Sequence, residues 1–365
     1  RTPSRRVTKD GETKGRPVYA RDGRSVYLAV ADGLERAAIV RLPLDGLPRD
    51  RVVLSSPRSP VSLDRRGRLF YTRSAPFENT YHFTDAFVLE RPGGEPRRLT
   101  RGLRTREIAV SPRGDRLALT VNHRGRTRLV LADDRGNVLE TLYDPPGEDQ
   151  VFDPAFSPDG RRVAAVVRTG PDVDVAVFDA DTGEMERITA DRAVDRSPVF
   201  DPSGRWLVFA SDRTGIDNLY ARDLEGGRLY QVTNVVTGVR DPAVSPDGDE
   251  LVFLEYYSRG WDVHVTRFDP ELFRPAPPPP RDAPEPRPKP DPVTSAVTEY
   301  NPLPSLLPRA WSLNLSLGAD RAAVEAVTSL TDAVEIHAIA AELDYGIGGD
   351  SLATRVAYSY RGMRP

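Results

Sequence analysis

Four histidines, His82, His123, His264 and His337, are the side chains best suited to acid–base or metal chemistry near neutral pH. They stand far apart, outside any HExxH pattern, and read as ordinary strand or surface histidines. "DADTGE" (179–184) and the nearby Asp172 and Asp174 carry the oxygen ligands a calcium loop uses. A full loop needs more ligands at fixed positions, and Asp and Gly here fall where a tight turn is expected. There is no Gly-x-Ser-x-Gly elbow and no phosphate-cradling glycine loop. The chain has no cysteine, which excludes a thiolate metal site, a thiol nucleophile and a disulfide framework. The expectation is a protein without catalytic residues, metal or cofactor. Net charge is −3 over 365 residues, so nothing global points to nucleic acid.

What would position a functional group is a repeat. "SPDG" at Ser157–Gly160 has its glycine echoed at Gly23, Gly67, Gly114, Gly204 and Gly248, with spacings of 44, 47, 46, 44 and 44. Four of these turns share a longer phrase: "AVSPRGDRLAL", "AFSPDGRRVAAV", "VFDPSGRWLVF" and "AVSPDGDELVF". Pro presets φ, Asp caps the turn and Gly takes the left-handed position. A second turn glycine follows in each of five repeats, at Gly46, Gly94, Gly136, Gly183 and Gly227. Between turns lie short runs such as "SVYLAV", "RVAAVV", "WLVFAS" and "VAVFD", whose length and β-branched or aromatic content read as strands. A shorter strand closes several repeats: "RRVT", "RRLT", "ERIT" and "YQVT". Four strands per period of this length describe a propeller blade.

Six glycine anchors give an all-β, six-bladed β-propeller over residues 1–273. The sixth repeat lacks a local fourth strand, and "RRVT" at residues 5–8 is the spare one. The N-terminal strand is therefore expected to close the ring, which removes two exposed sheet edges. "SPDG", the "RIT" and "QVT" endings, and "SDRTGIDNLYARDLEGG" (211–227) resemble the TolB-type (PD40, WD40-like) six-bladed propeller over about residues 5–270. The same phrases also occur in propellers of prolyl-oligopeptidase-type peptidases.

Residues 274–299 form a proline-rich linker, with 10 prolines between positions 275 and 292. Such a stretch favours a semi-rigid polyproline II spacer. Beyond it, "WSLNLSLG" (311–318), "HAIAAELDYG" (337–346) and "LATRVAYSYRG" (352–362) alternate apolar and polar residues, and 322–330 does so more weakly. The alternation suits a transmembrane barrel, lipid-facing on one side and lumen-facing on the other, or a soluble sheet with one wet face. "YNPLPSLLPRAWSLNLSLGAD", "DAVEIHAIAAELDYG" and "VAYSYRGMRP" resemble the start of bacterial surface-antigen-type outer-membrane barrels. That resemblance implies that residues 300–365 are the first strands of an incomplete β-barrel, with the remainder beyond Pro365, and that outer-membrane lipid covers their apolar face.

The two resemblances together imply a non-enzymatic bacterial envelope protein, in the periplasm and outer membrane. Its propeller would bind a protein or peptide partner and be tethered to the barrel. A soluble periplasmic TolB-like module is the alternative, and the gating propeller of a serine peptidase a third. Function on a propeller sits on its loop faces. The longest loop of one face, "SAPFENTYHFTD" (74–85), offers Phe77, Tyr81 and His82. The fifth repeat offers Asp212 and Arg213, and the sixth Tyr257, Arg259 and Trp261. Aromatic and Arg side chains are enriched in binding hot spots, which makes these eight the candidate partner contacts.

Overall fold

Apolar runs of six to nine residues bounded by turns are too short to form a buried helix and form antiparallel strands instead. The computed structural model describes residues 2–31, 37–46, 48–56, 59–78, 81–123, 125–278, 300–308, 311–317, 322–332, 334–347 and 351–361. The fold is all-β apart from two single-turn 3-10 helices, Pro270–Leu272 and Leu303–Ser305. Two units divide the chain, Arg1–Ala283 and Pro284–Pro365.

The first unit contains six antiparallel sheets among the described residues. Each has the same order along the chain. In the first sheet it is Val18–Tyr19, Ser25–Ala31, Ala38–Pro43 and Asp50–Leu54, with Thr13–Lys14 added beside Ser25–Ala31. The second holds Val61–Leu63, Leu69–Phe77, Tyr81–Leu89 and Arg97–Arg98. The third holds Thr105–Val110, Arg116–His123, Arg126–Asp133 and Val138–Tyr143. The fourth runs Gln150–Phe156, Arg162–Thr169, Asp172–Asp179 and Met185–Arg187. The fifth runs Asp195–Phe200, Trp206–Ser211, Asn218–Asp223 and Leu229–Gln231. The sixth has Val239–Val244, Glu250–Tyr257 and Gly260–Arg267, and takes its fourth strand, Arg5–Arg6, from the other end of the chain. Arg5 pairs with Val265 and Arg6 with His264.

The first strands of consecutive sheets touch in sequence order, and Val239–Val244 returns to Val18–Tyr19. Six apolar clusters fill the six gaps between neighbouring sheets. Between the sixth and first sheets, for instance, Val252, Leu254 and Val263 face Val26, Leu28 and Val40. The fourth sheet shows the same logic on adjacent residues of one strand, where Ala164 faces one neighbouring sheet and Ala165 the other. Both faces of the middle strands are thus covered, which is why they read as continuous apolar runs rather than alternating ones. Each fully buried Val, Leu or Phe in these gaps contributes about 1.5–3 kcal/mol.

A buried clasp recurs where the short last strand ends. Thr8, Thr100, Thr189 and Thr233 each take a backbone N–H of the third strand on their hydroxyl, from Val263, Ala86, Val175 and Leu219. The hydroxyl then donates to Asp262, Asp85, Asp174 and Asn218 respectively. Asp174, one of the calcium-loop candidates, is occupied in this way and also pairs with Arg187 at 3.0 Å.

Two details depart from expectation. In the second sheet the left-handed glycine of the second turn is Gly93, not Gly94. Arg274–Pro275, assigned to the linker by composition, forms an edge strand on Leu229–Gln231, and Phe273 meets Trp206 edge-on at 5.5 Å. An edge is where proline is tolerated, since no ladder N–H is needed there. Most of the proline-rich linker, residues 279–299, lies outside the described residues.

The second unit is a four-stranded antiparallel meander, Trp311–Leu317, Ala322–Thr331, His337–Ile347 and Ser351–Tyr360. Leu313 pairs with Ala326, Ala326 with Leu343 and Leu343 with Thr354. This register puts Trp311, Leu313, Leu315, Val324, Tyr345 and Val356 on one face. Among the described residues, no helix is long and apolar enough to cross a membrane.

Candidate functional site

The first strands of the six sheets line a cavity of about 790 Å3. One position of the repeat controls its mouth. Arg16, Glu107, Asp153, Ser197 and Asp241 all stand there, and all but Glu107 precede a proline. Proline has no N–H to give the ladder, so pairing with the second strand breaks at this point. The register shifts between Phe152 and Ala155, Arg196 and Val199, and Arg240 and Ala243. Asp153, Ser197 and Asp241 each adopt φ 54°, a left-handed conformation rare outside glycine.

That conformation turns each residue toward its neighbour in the preceding sheet. Asp153 donates its N–H to Glu107 Oε2 at 2.8 Å, and Ser197 donates its N–H to Asp153 Oδ2 at 3.0 Å. Ser197 Oγ donates to Asp241 Oδ1 at 2.8 Å. Thr120 adds a hydroxyl bond to Glu107 at 2.8 Å. From the first sheet, Arg16 reaches the carbonyl of Pro198 in the fifth at 2.6 Å. Burial, reinforced by the Asp153 carboxylate, pushes Glu107 up to about 7. Burial also raises Asp153, against the pull of Arg16 and with the push of Asp241. The mouth is therefore a linked chain of acids and a hydroxyl, with Arg240 paired to Asp241 at one end at 3.3 Å. Its signal in the sequence was the recurrent x-Pro seven and six residues before the turn glycine, inside the first strand in the fourth to sixth sheets, which the sequence reading did not single out.

The eight sequence candidates fall on three separate hairpins. In the second sheet, Phe77 lies on Gly102, where a Cβ would overlap its ring, and Phe83 tilts against it at 5.4 Å. Tyr81 stacks on Phe83 at 5.9 Å and stays 55% exposed, with His82 exposed beside it. In the sixth sheet, Trp261 is half-buried under the Arg240 guanidinium, 4.0 Å from the ring centroid. Tyr257 is held between Arg6 and His264, and Arg259 is exposed. In the fifth, Asp212 accepts the Val194 N–H at 2.8 Å. Arg213 is a correction: it is 4% exposed and ion-paired with Asp195 at 3.2 Å and Asp191 at 3.3 Å, so it braces its own sheet. Loop position suggested exposure, but a guanidinium beside a buried carboxylate is drawn inward to compensate it.

Asp179 of "DADTGE" accepts the N–H groups of Asp181 and Thr182, and these bonds hold its carboxyl low. It is a turn cap. Among the described residues, carboxylates close enough to share an ion occur at Glu325, Glu342 and Asp344, on the polar face of the last sheet. Two of them are already engaged, Glu325 by Asn314 and Glu342 by Arg355.

Residues 107–272 match the TolB beta propeller domain model, PD40. Over those residues the chain is similar to TolB-type PD40 propellers. Over 120 residues it is 30% identical to the uncharacterized protein Atu1656 of Agrobacterium fabrum, covering 31% of the chain and 41% of that protein. Over 97 residues it is 29% identical to the Tol-Pal system protein TolB of Wolinella succinogenes, covering 27% of the chain and 23% of TolB. The chain thus spans less than half the length of these curated relatives. Among solved structures, a gluconolactonase of Xanthomonas campestris superposes with a TM-score of 0.51 at 14% identity, covering 72% of this chain and 88% of that one. At such identity the likeness concerns the propeller fold alone.

Proposed function

We propose that this is a non-enzymatic envelope protein in which a periplasmic TolB-like propeller binds a protein or peptide partner and is tethered to an outer-membrane barrel. In this reading the six sheets are six blades, the ring is closed by Arg5–Arg6, and residues 274–299 are the spacer. The observation that carries it is the last sheet's exposed apolar face. Leu313, Leu317 and Val356 are each more than 70% exposed, far above what a soluble sheet tolerates over a continuous surface. The opposite face carries Ser312, Asn314, Glu342 and Arg355. Trp311, Tyr358 and Tyr360 cluster toward one end of the strands, and Tyr345 lies toward the other, as interfacial girdles require. The 10–11 residues of the three longer strands match a tilted membrane crossing.

Binding rather than catalysis is favoured by the channel mouth. Its acids accept from backbone N–H groups and from the Ser197 and Thr120 hydroxyls, which fixes a shape rather than poising a base against a nucleophile. Fractionation of cells making the full-length gene product tests the reading. Recovery in the outer-membrane fraction, resistant to carbonate extraction, is expected. A soluble, detergent-free monomer would instead make it a periplasmic TolB-like module.

A further inference from the structure

We propose that the tip of the second sheet and the segment leading into the third form a docking surface for an acidic, extended protein segment. Tyr81 is its aromatic anchor, and Arg101, Arg104 and Arg106 are its cationic contacts. This rests on the reading that the loop face binds a partner, and it names the place and the chemistry.

Three observations converge here. The first is a rigid aromatic ladder. Phe77 rests on Gly102, Phe83 leans on Phe77, and Tyr81 lies parallel to Phe83 with an interplanar angle of 3°. The inner rings are spent on packing, so the outer one is held in place with its face and hydroxyl available. A fixed aromatic of this kind loses little entropy on binding.

The second is charge. Residues 97–106 hold five arginines and no acid. Arg97 and Arg98 are neutralised by Glu90 and Asp85. Arg101, Arg104 and Arg106 are exposed and form no ion pair among the described residues. By contrast, Arg213 on the fifth-sheet hairpin is matched by Asp195 and Asp191, and Arg240 by Asp241. Three unpaired arginines within six residues of a chain with net charge −3 make a local positive patch complementary to carboxylates.

The third is geometry. Arg104 takes φ 58°, and its guanidinium lies 4.4 Å from the Phe83 centroid, which joins that arginine to the ladder, with Arg101 and Arg106 within three residues of it along the chain. Tyr and Arg in one patch are the composition of a protein hot spot.

The test uses the full-length gene product in detergent and a fluorescein-labelled peptide of alternating Glu and Gly, followed by anisotropy. Saturable binding that weakens with salt is expected. Charge reversal of all three arginines (R101E, R104E, R106E) should weaken it at least tenfold, Tyr81→Ala several-fold, and Arg135→Glu, in a turn of the third sheet, should leave it unchanged. All three variants should melt as the parent does. Equal binding by the triple variant overturns the proposal. So does a preference for polygalacturonate or for phosphatidylglycerol vesicles over the peptide. Failure here with the protein still in the outer-membrane fraction removes this docking site and leaves the envelope reading standing; the reverse result removes the tether alone.

Discussion

Ser197 Oγ donates to Asp241 Oδ1 at 2.8 Å while its own N–H binds Asp153 Oδ2 at 3.0 Å, so one serine ties together three successive sheets. Its φ of 54° is what makes both bonds possible. Ser197→Ala should lose about 1–2 kcal/mol, measured by urea unfolding, because the half-buried Asp241 oxygen loses its hydroxyl donor. Ser197→Gly should recover part of that loss, since glycine takes the left-handed backbone without strain. Equal stability of the serine and alanine proteins would show that the bridge is idle.

Glu107 supplies a pH signature. Burial and the Asp153 carboxylate raise it to about 7 from an ordinary value near 4.5. The folded protein holds this proton more tightly than the unfolded chain does. Its contribution is therefore fully present below about 4.5 and is lost as pH rises through 7. Buried Asp195, raised to about 6, acts in the same direction. Stability should fall between pH 5 and 8, by on the order of 1–3 kcal/mol for Glu107. Glu107→Gln should flatten the upper part of that slope and leave the Asp195 part. Denaturant midpoints at several pH values would read it; an unchanged slope would contradict the assignment.

The threonine clasp makes a sharper demand than its exposed surroundings suggest. Thr100→Val keeps the volume but deprives the Ala86 N–H of an acceptor and Asp85 of a donor, both buried. A loss of roughly 1–3 kcal/mol is expected in unfolding experiments. The same change at an exposed threonine such as Thr214 should fall within about 0.5 kcal/mol.

Removing residues 1–9 deletes the strand that pairs Arg5 with Val265 and strips Thr8 and Arg6 from the buried Asp262. Lys14, at 3.8 Å, is the remaining cation close to it. A clear drop in thermal melting temperature should follow. Unchanged melting would mean that the N-terminal strand does not hold the first and sixth sheets together.

On the last sheet, side matters more than strand. Leu315→Arg on the apolar face should reduce recovery of the full-length protein in the outer-membrane fraction, at a cost of about 2–4 kcal/mol near the membrane midplane. Ser316→Arg, one residue on and on the polar face, should be tolerated. Equal recovery of the two variants would remove the lipid-facing assignment.

Much of this was legible because propeller strands are local. The glycine echoes from Gly23 to Gly248 marked the repeat, and "RRVT" at residues 5–8 announced a strand with no local partner. Alternation in 311–318 and 352–362 gave the faces of the last sheet before any register was known. Composition misplaced Arg274–Pro275, since a polyproline-rich stretch gives no sign that its first residues will meet an open sheet edge. Arg213 was misjudged for a related reason: a loop position says nothing about a buried carboxylate waiting in another strand.

By itself the sequence determined what depends on near neighbours: strand lengths, turn glycines, the period of the repeat and the two-sided character of the C-terminal strands. The tertiary structure decided what depends on residues about 44 positions apart coming together. Glu107, Asp153, Ser197 and Asp241 look unrelated in the chain, three acids and a serine inside ordinary short strands. Only the stacking of one sheet against the next links them into a continuous hydrogen-bonded rim, because each bond needs a donor from one sheet and an acceptor from its neighbour.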